Sequence, residues 1–438
     1  MRLIDFSLLV LLVVLPPVTV ADNLLEIFTL AAKRDPELRA ARENYQAVKE
    51  STPQARASLL PNLSLSASSS ENKQTNNGIR SDFSADNVSL VLTQPVFNYK
   101  FLMTLKQAKT TVRKAGIDLS AAYQALILRV AERYFAVLSA KDNLTFLQAE
   151  KKSFSRKLEE AQKRFKVGLI AITGVHEARS ARDLSAAQVI EAENILANAI
   201  EKLREITGQT HDRLAELKDT IPLTSPAPRN MNQWTKTALR QNLQLQSTQQ
   251  DIEIARIDIK IKNSGHLPTL DLVASKSKNN TTGGFFGARE SDTGTIELRL
   301  NVPIFSGGLT RSQTRQARHK YQQAVELHEK QQRTTLSQTR NAYRGILAGI
   351  SRVKALKQAI ISARSALRAT QAGFEVGTRT IVDVLNSQRE LFKAKSNYSR
   401  ARHDYVLNLL RLKQAAGTLS IDDLKAVNSW LRPHSTTP

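Results

Sequence analysis

One order of sequence landmarks appears twice in this chain, once in each half. Four landmarks recur at a nearly constant offset of 207 to 209 residues: 60–65 with 267–272, 94–97 with 302–305, 164–169 with 373–378, and 203–208 with 412–417. Two copies of about 200 residues indicate one large duplication, because solenoid proteins repeat units of about 20 to 50 residues. The chain is therefore expected to fold as two similar halves.

The composition excludes several classes of site. The 438 residues are 41% hydrophobic, which is enough for a substantial core, and they include no cysteine. Disulfides and thiolate metal sites are thereby excluded. The seven histidines are isolated, and neither an HExxH pair nor a Gly-Lys-Ser or Gly-Lys-Thr phosphate loop occurs. No enzyme activity, cofactor or metal site is predicted, and the glycine-rich segment 283–287 is interpreted as a loop tip.

Residues 1–21 have the features of a secretory signal peptide. Arg2 is followed by an apolar run over 6–15, and Thr19-Val20-Ala21 precedes the expected cleavage point after Ala21. A single membrane anchor is the alternative, but the apolar run is too short for a comfortable crossing and ends at Pro16-Pro17. No other stretch approaches the roughly 20 apolar residues that a membrane-spanning helix needs. If the chain enters a membrane, it does so as strands.

The formal charge of +23 is typical of proteins that bind nucleic acid or another acidic surface. Lys and Arg are, however, scattered along the predicted helices and interleaved with Glu and Gln, without a basic block or an aromatic stacking motif. We therefore favour a solvated helix surface over a nucleic-acid site. A milder alternative is that phosphate-rich outer-leaflet lipid or anionic cargo interacts with this charge.

Four segments alternate between apolar and polar residues with the period of β-strands. Their apolar faces comprise Leu63, Leu65 and Ala67; Val88, Leu90 and Leu92; Leu270, Leu272 and Ala274; and Ile296, Leu298, Leu300 and Val302. Polar loops are expected within each pair, over 71–82 and 276–294. A spanning sheet must close, and the smallest barrels have about eight strands, so four strands require oligomerisation. Alternation alone also fits a soluble antiparallel sheet packed on helices.

Two segments without proline, 97–166 and 310–375, predict very long helices. At 1.5 Å per residue each would extend about 100 Å, which no globular core requires. Ile346, Val353, Ile360 and Leu367 recur every seven residues, as in an antiparallel coiled-coil hairpin. Each hairpin turns at a Val-Gly pair, and the tips are Val167, Gly168 and Leu169 in one half and Val376, Gly377 and Thr378 in the other. Pro95 and Pro303 mark the strand-to-helix junctions.

Three segments resemble the signatures of the TolC family of outer-membrane efflux channels. They are GHLPTLDL at 265–272, VGTRTIVDVL at 376–385 and AGTL at 416–419, and the likeness extends from about Asn23 to Trp430. The resemblance implies a mixed α/β membrane protein that assembles as a homotrimer. Four strands per chain would form a 12-stranded outer-membrane β-barrel, and the coiled-coil helices would form an α-helical barrel that extends into the periplasm.

This resemblance also implies a function and a domain division. Such channels are not enzymes; they export drugs, toxins or proteins, and they work with a periplasmic adaptor (membrane fusion) protein and an inner-membrane transporter of the RND, ABC or MFS type. The expected division is a signal peptide (1–21), a first repeat (22–208), an equatorial linker (209–233), a second repeat (234–417) and an equatorial C-terminal segment (418–438). A periplasmic scaffold protein is the alternative, against which the paired lipid-patterned strands argue.

In the family, an acidic ring and polar links between hairpins close the periplasmic tips. Asp383 matches one gate aspartate, and Arg379 and Thr173 match positions that bridge the hairpins. Three residues depart from the pattern: neutral Asn386 replaces the second gate aspartate, Phe374 replaces a latching tyrosine, and Gly174 replaces its aspartate partner. A ring of like charge in a narrow pore favours cations. We therefore expect weaker cation selectivity and a looser resting gate than the family pattern gives.

Overall fold

The computed structural model describes residues 22–211, 213–284 and 287–432. The predicted signal peptide and its cleavage after Ala21 lie outside these residues. The first half contains α1 (Leu24–Arg34), α2 (Pro36–Lys49), α3 (Ser51–Ala57), β1 (Asn62–Asn76), β2 (Ile79–Phe97), α4 (Tyr99–Lys166) and α5 (Ile172–Thr207). The second half contains α6 (Met231–Gln241), α7 (Leu243–Asn263), β3 (Thr269–Thr281), β4 (Arg289–Asn301), α8 (Leu309–Glu375), α9 (Ile381–Ala415) and α10 (Ile421–Asn428).

The four strands form one antiparallel sheet in the order β1-β2-β3-β4. The register pairs Leu65 with Leu90 and Ala274 with Ile296, so the alternating apolar residues share one face. That face is exposed, with Leu65 70% and Ile296 79% accessible. Among the described residues, the outer edges of β1 and β4 pair with no further strand. The predicted strands and their common apolar face are confirmed.

The polar segments between the strands are not the loops that the sequence predicted. Most of 71–82 belongs to β1 and β2, which are joined by a two-residue turn at Asn77-Gly78 with φ of 49° and 83°. Likewise 276–281 and 289–294 are strand residues. Polar side chains do not end a strand when its backbone remains paired, and Asn-Gly is the preferred sequence of such a hairpin turn. Both hairpins therefore extend well beyond their apolar portions.

The long helices form a layer whose order is α5, α4, α9 and α8. α4 and α8 have 68 and 67 residues, as the sequence predicted. Asn242 joins two other helices: its Nδ2 donates to the carbonyl of Ala415 at the end of α9, while its Oδ1 accepts from Leu245 in α7. α7 thus continues the line of α9 between α4 and α8, toward the sheet.

Pro95 and Pro303 lie at the two strand-to-helix junctions. The register of β2 against β3 shifts between Pro95 and Phe97, where proline lacks the N–H that a ladder would use. Pro303 lies between the end of β4 and the start of α8. Among the described residues, no helix has both the length and the apolar character needed to cross a membrane.

The main hydrophobic core lies halfway along the helices. There α1, α6, α10 and the segment after α5 pack on α4 and α9. The hydroxyl of Tyr134 donates to the carbonyl of Ala215 at 2.7 Å, and that of Tyr405 accepts from the amide of Thr224 at 2.9 Å. The N–H of Lys218 donates to the carbonyl of Trp430. The linker and the C-terminal segment therefore pack together on one side of the helix layer.

Candidate functional site: the hairpin tips

The two hairpin tips have the same backbone geometry. Gly168 and Gly377 have φ of 74° and 81°, the left-handed region in which glycine is not strained. The N–H of Leu169 donates to the carbonyl of Arg164 at 2.9 Å, and the N–H of Thr378 donates to that of Gly373 at 2.8 Å. Each bond spans five residues and closes the end of a helix. The duplication is thus preserved at the level of single hydrogen bonds.

The flanking tip residues are exposed, whereas the residues behind them pack together. Val167, Leu169 and Val376 are exposed by 68%, 70% and 76%. A second hydrophobic cluster joins both hairpins immediately behind them and contains, among others, Phe154, Leu158, Val175, Phe374, Ile381 and Val384. The tips can therefore present an apolar surface without loosening the helices that carry them.

Phe374 belongs to this cluster and is only 6% exposed. The guanidinium of Arg164 in α4 lies over its ring, with Cζ 4.5 Å from the centroid. Gly174 lies at the other contact between hairpins: a Cβ there would be 3.2 Å from Cγ2 of Ile381. An aspartate at 174 would require Ile381 to move by a few tenths of an ångström. The phenylalanine and the glycine are therefore fitted to close packing.

Asp383 closes the first turn of α9 through a capping box with Thr380. Its Oδ2 accepts from the N–H and the hydroxyl of Thr380, each at 2.9 Å, and its own N–H donates to Oγ1 of Thr380 at 3.2 Å. These bonds, led by that from the Thr380 backbone and aided by the charge of Arg379, hold the pKa of Asp383 below its ordinary value. The Asp383 side chain is partly exposed, and its carboxylate remains ionised in mildly acidic solution.

The other predicted gate residues lie around Asp383. Asn386 is exposed one turn further along α9, with its Oδ1 3.5 Å from Nη1 of Arg389. Arg379 packs its side-chain stem over Gly373, where a Cβ would be 2.8 Å from Cγ of Arg379. Thr173 is exposed in the first turn of α5, and its hydroxyl makes no hydrogen bond to a described residue. Arg379 and Thr173 are thus available to another chain.

Sequence reasoning missed a row of charged residues on α4 that faces the second hairpin. Glu150, Lys157 and Arg164 recur every seven residues, a spacing that places them on one side of the helix. Glu150 is buried, and desolvation raises the pKa of its carboxyl although the guanidinium of Arg389 lies 4.0 Å away. The heptad spacing was visible in the sequence, but the partners on α8 and α9 were not.

The tips have no features of a metal site. In the described part of the chain, no group of histidine, aspartate and glutamate side chains could hold a metal ion. The arrangement instead consists of one ionised carboxylate at a helix start, apolar tips and a packed contact between two hairpins.

Comparisons with known proteins agree with this architecture. The chain matches the family described as "Outer membrane efflux protein" over residues 28–209 and 234–418. It is 39% identical to the outer membrane protein TolC of Vibrio cholerae over 416 residues, which cover 94% of each protein. It is 28% identical to the alkaline protease secretion protein AprF of Pseudomonas aeruginosa, covering 93% of this chain and 87% of AprF. The crystal structure of the Campylobacter jejuni CmeC outer membrane channel superposes with a TM-score of 0.78 at 19% identity, covering 94% of this chain and 90% of CmeC.

Proposed function

Because this chain belongs to the outer membrane efflux protein family and lies in the outer membrane, we propose that three copies form an exit channel gated at the hairpin tips. The open sheet with its exposed apolar face carries this proposal. A sheet edge in lipid leaves backbone groups without partners, at a cost of several kcal/mol each. Three sheets, joined β1 to β4, would close such edges in a barrel of 12 strands.

The edges of the helix layer support the same assembly. α5 and α8 lie on opposite edges and expose apolar residues that the protomer leaves uncovered, Leu184 and Ile190 on α5 and Leu347 and Ile361 on α8. Their charges are complementary. α5 has six acidic and four basic residues, whereas residues 340–375 of α8 have seven basic and one acidic. A second copy could place these edges side by side.

The charges also match in height above the tips. Counted from Gly168 and Gly377, Glu177 lies level with Arg368, Glu191 with Lys354 and Glu193 with Arg352, because both helices rise by about 1.5 Å per residue. A head-to-tail contact between α5 of one copy and α8 of the next would align these pairs. Such an interface closes into a ring when the rotation per copy permits it.

We assign the gate to the tips. Asp383, repeated three times, would form a ring of carboxylates, while Asn386 would add no charge to it. Arg379 and Thr173 would bridge neighbouring copies, and Val167, Gly168, Leu169, Val376, Gly377 and Thr378 would dock a periplasmic adaptor protein. The exposed apolar tip side chains suit that role.

The cargo class follows from the partners. We propose that an inner-membrane transporter of the RND, ABC or MFS type supplies the energy and selects the cargo, and that the channel serves drug efflux, type I secretion or both. The resemblance to AprF, named for alkaline protease secretion, supports the secretion role. The chain itself is proposed to have no catalytic activity.

Single-channel recording of the purified protein in a planar bilayer tests the proposal. The expected result is a small, gated conductance that prefers cations, together with an Asp383→Ala variant that conducts with reduced cation preference. Glu375→Ala is the matched control, since Glu375 is an exposed carboxylate at the end of α8 near the tip. No conductance from a protein shown to be trimeric, or equal selectivity in all three proteins, would refute the gate assignment.

A further inference from the structure

The helix starts next to the sheet are strongly basic. Residues 99–117 contain five basic residues and no acidic one, and 302–325 contain four basic residues and no acidic one. Only Lys114 among these nine forms an ion pair with a described residue; its partners are Asp118 and Asp251. The other basic side chains of these segments therefore carry uncompensated charge, and they include Lys106, Lys109, Arg311, Arg315 and Arg318.

This charge begins where the exposed apolar surface ends. Ile304 and Phe305, between β4 and α8, are 90% and 86% exposed, and Leu102 and Leu309 are also exposed at the helix starts. Lys106 lies seven residues into α4 and Arg315 six residues into α8, each about 10 Å below the junction. The apolar band of the sheet is thus followed directly by positive charge, without an acidic residue between them on either helix.

Part of this basic surface lies on the side of the helices on which α6 packs. On α4, Arg113 lines a cavity with Leu239 and Arg240 of α6. Lys106 lies one seven-residue repeat from Arg113 and is rotated from it by only about 20°, so it lies close to the same side of α4. On α8, Arg311 and Arg318 share a seven-residue row with Gln332, which lines a cavity together with Leu239 and Arg240 of α6.

We propose that these basic residues bind the anionic phospholipid headgroups of the membrane leaflet that faces the long helices. The proposal rests on the proposed barrel, which sets the level of that leaflet. Arginine and lysine near a membrane surface are each attracted to anionic lipid, and the guanidinium group matches phosphate geometry. The belt of Lys106, Lys109, Arg311, Arg315 and Arg318 would fix the depth of the barrel. Its continuity with the apolar band favours lipid over a protein partner.

Lipid enrichment measures this interaction directly. The full-length protein is reconstituted in vesicles of equimolar phosphatidylglycerol and phosphatidylcholine, extracted with its bound lipid, and analysed by native mass spectrometry. We expect the wild type to retain phosphatidylglycerol preferentially. The variant Lys106→Gln, Lys109→Gln, Arg311→Gln, Arg315→Gln, Arg318→Gln should lose that preference by about tenfold or more, since five charges near the headgroups are removed.

A matched control removes five exposed basic residues that are far from the sheet, lie outside the α5 and α8 edges and form no ion pair with a described residue: Lys33→Gln, Lys151→Gln, Lys152→Gln, Arg156→Gln and Arg400→Gln. It should keep the wild-type preference. The proposal would be overturned if the belt variant retained as much phosphatidylglycerol as the wild type, or if the control lost as much as the belt variant. Displacement of the bound lipid by millimolar inorganic phosphate would also overturn it. Loss of trimers in the belt variant with its lipid preference intact would instead make the belt a subunit contact, and would also overturn it.

Conductance of the same samples separates this proposal from the proposed function. A belt variant that still forms a gated channel but loses its lipid preference supports the lipid site. A wild type that retains phosphatidylglycerol through the belt but forms no channel would refute the exit-channel function while the lipid contact stands.

Discussion

Cζ of Arg164 lies 4.5 Å from the centre of the Phe374 ring, so a residue of α4 and a residue of α8 join the two hairpins just behind their tips. Nη2 of Arg164 also lies 3.1 Å from Oε1 of Glu160, which orients the guanidinium over the ring. The sequence predicted that Phe374 removes a latch, because the residue has no hydroxyl. The structure shows a different contact between the hairpins at the same residue.

We predict that this cation–π contact stabilises the closed tips. Arg164→Leu should raise the open probability of single channels about two- to fivefold, because an exposed or partly buried contact of this type contributes about 0.5–1 kcal/mol. Phe374→Leu should have a similar effect, since it keeps the apolar packing but removes the ring. The double variant should add little to either change. Arg156→Leu is the control, since Arg156 lies on the same helix and forms no ion pair with a described residue. Fully additive effects of the two substitutions would show that Arg164 and Phe374 act separately.

A second prediction concerns the pH range of cation selectivity. The hydrogen bonds from Thr380 hold the pKa of Asp383 below its ordinary value. The carboxylate therefore stays charged until the pH falls below the pKa of a free aspartate. Cation preference, measured as the reversal potential in a salt gradient, should persist between pH 7 and about pH 4. Thr380→Val removes the hydroxyl bond and should move the loss of preference to higher pH. Loss of the preference near pH 6 in the wild type would contradict this assignment.

Much of the fold could be predicted because its signals are long and periodic. The heptads around Ile346 and Val353 and the alternation around Leu270 depend on burial patterns that many residues enforce together. The extent of the strands could not be predicted in this way, since residues 71–76 are polar on both faces and their strand pairing depends on the neighbouring chain segment. Backbone pairing carries no signature in the side chains at such positions.

The family resemblance predicted the individual residues of the candidate site, but it did not predict the contacts that these residues make. Asp383 and Phe374 occupied motif positions, and the capping box of Thr380 and Asp383 is a local contact over three residues, but the packing of Gly174 on Ile381 depends on the distance between hairpins. Arg164 belongs to no motif and was missed. Long-range pairs of this kind become visible only when two helices are placed side by side.

A third prediction concerns the glycines, which differ sharply in the space available for an added side chain. A Cβ on Gly417, at φ 75°, would lie 2.1 Å from the carbonyl oxygen of Gln241, a backbone atom that cannot rotate away. Gly417→Ala should lower the free energy of unfolding by more than about 2 kcal/mol, whereas Gly168→Ala has open space and should cost about 1 kcal/mol from its positive φ alone.

Gly349, inside α8, is expected to tolerate a side chain. A Cβ there would meet Tyr405 at 3.6 Å, an ordinary van der Waals contact. Gly349→Ala should therefore be neutral or stabilise by up to about 1 kcal/mol. Thermal unfolding measures the relative stabilities of the three alanine variants. If Gly349→Ala were less stable than Gly417→Ala, the prediction from the Cβ distances would be wrong.

The last prediction concerns the charged edges of the helix layer. Reversing three charges on α8 (Arg352→Glu, Lys354→Glu, Arg368→Glu) would place acidic side chains opposite the acidic edge of α5 in the neighbouring copy. Exposed pairs contribute only about 0.2–1 kcal/mol each, but a trimer has three such seams. The fraction of trimer at low salt, measured by analytical ultracentrifugation in detergent, should fall by more than half.

Reversal of the facing edge provides the decisive control. Glu177→Lys, Glu191→Lys and Glu193→Lys on α5 should also impair assembly when made alone, because α5 would then repel the basic edge of α8. All six substitutions in one chain restore opposite charges at every seam, so the combined variant should recover the trimer. Weakened attraction at high salt should reduce the differences among all these proteins. A combined variant that assembles no better than either triple variant would show that the two edges do not meet.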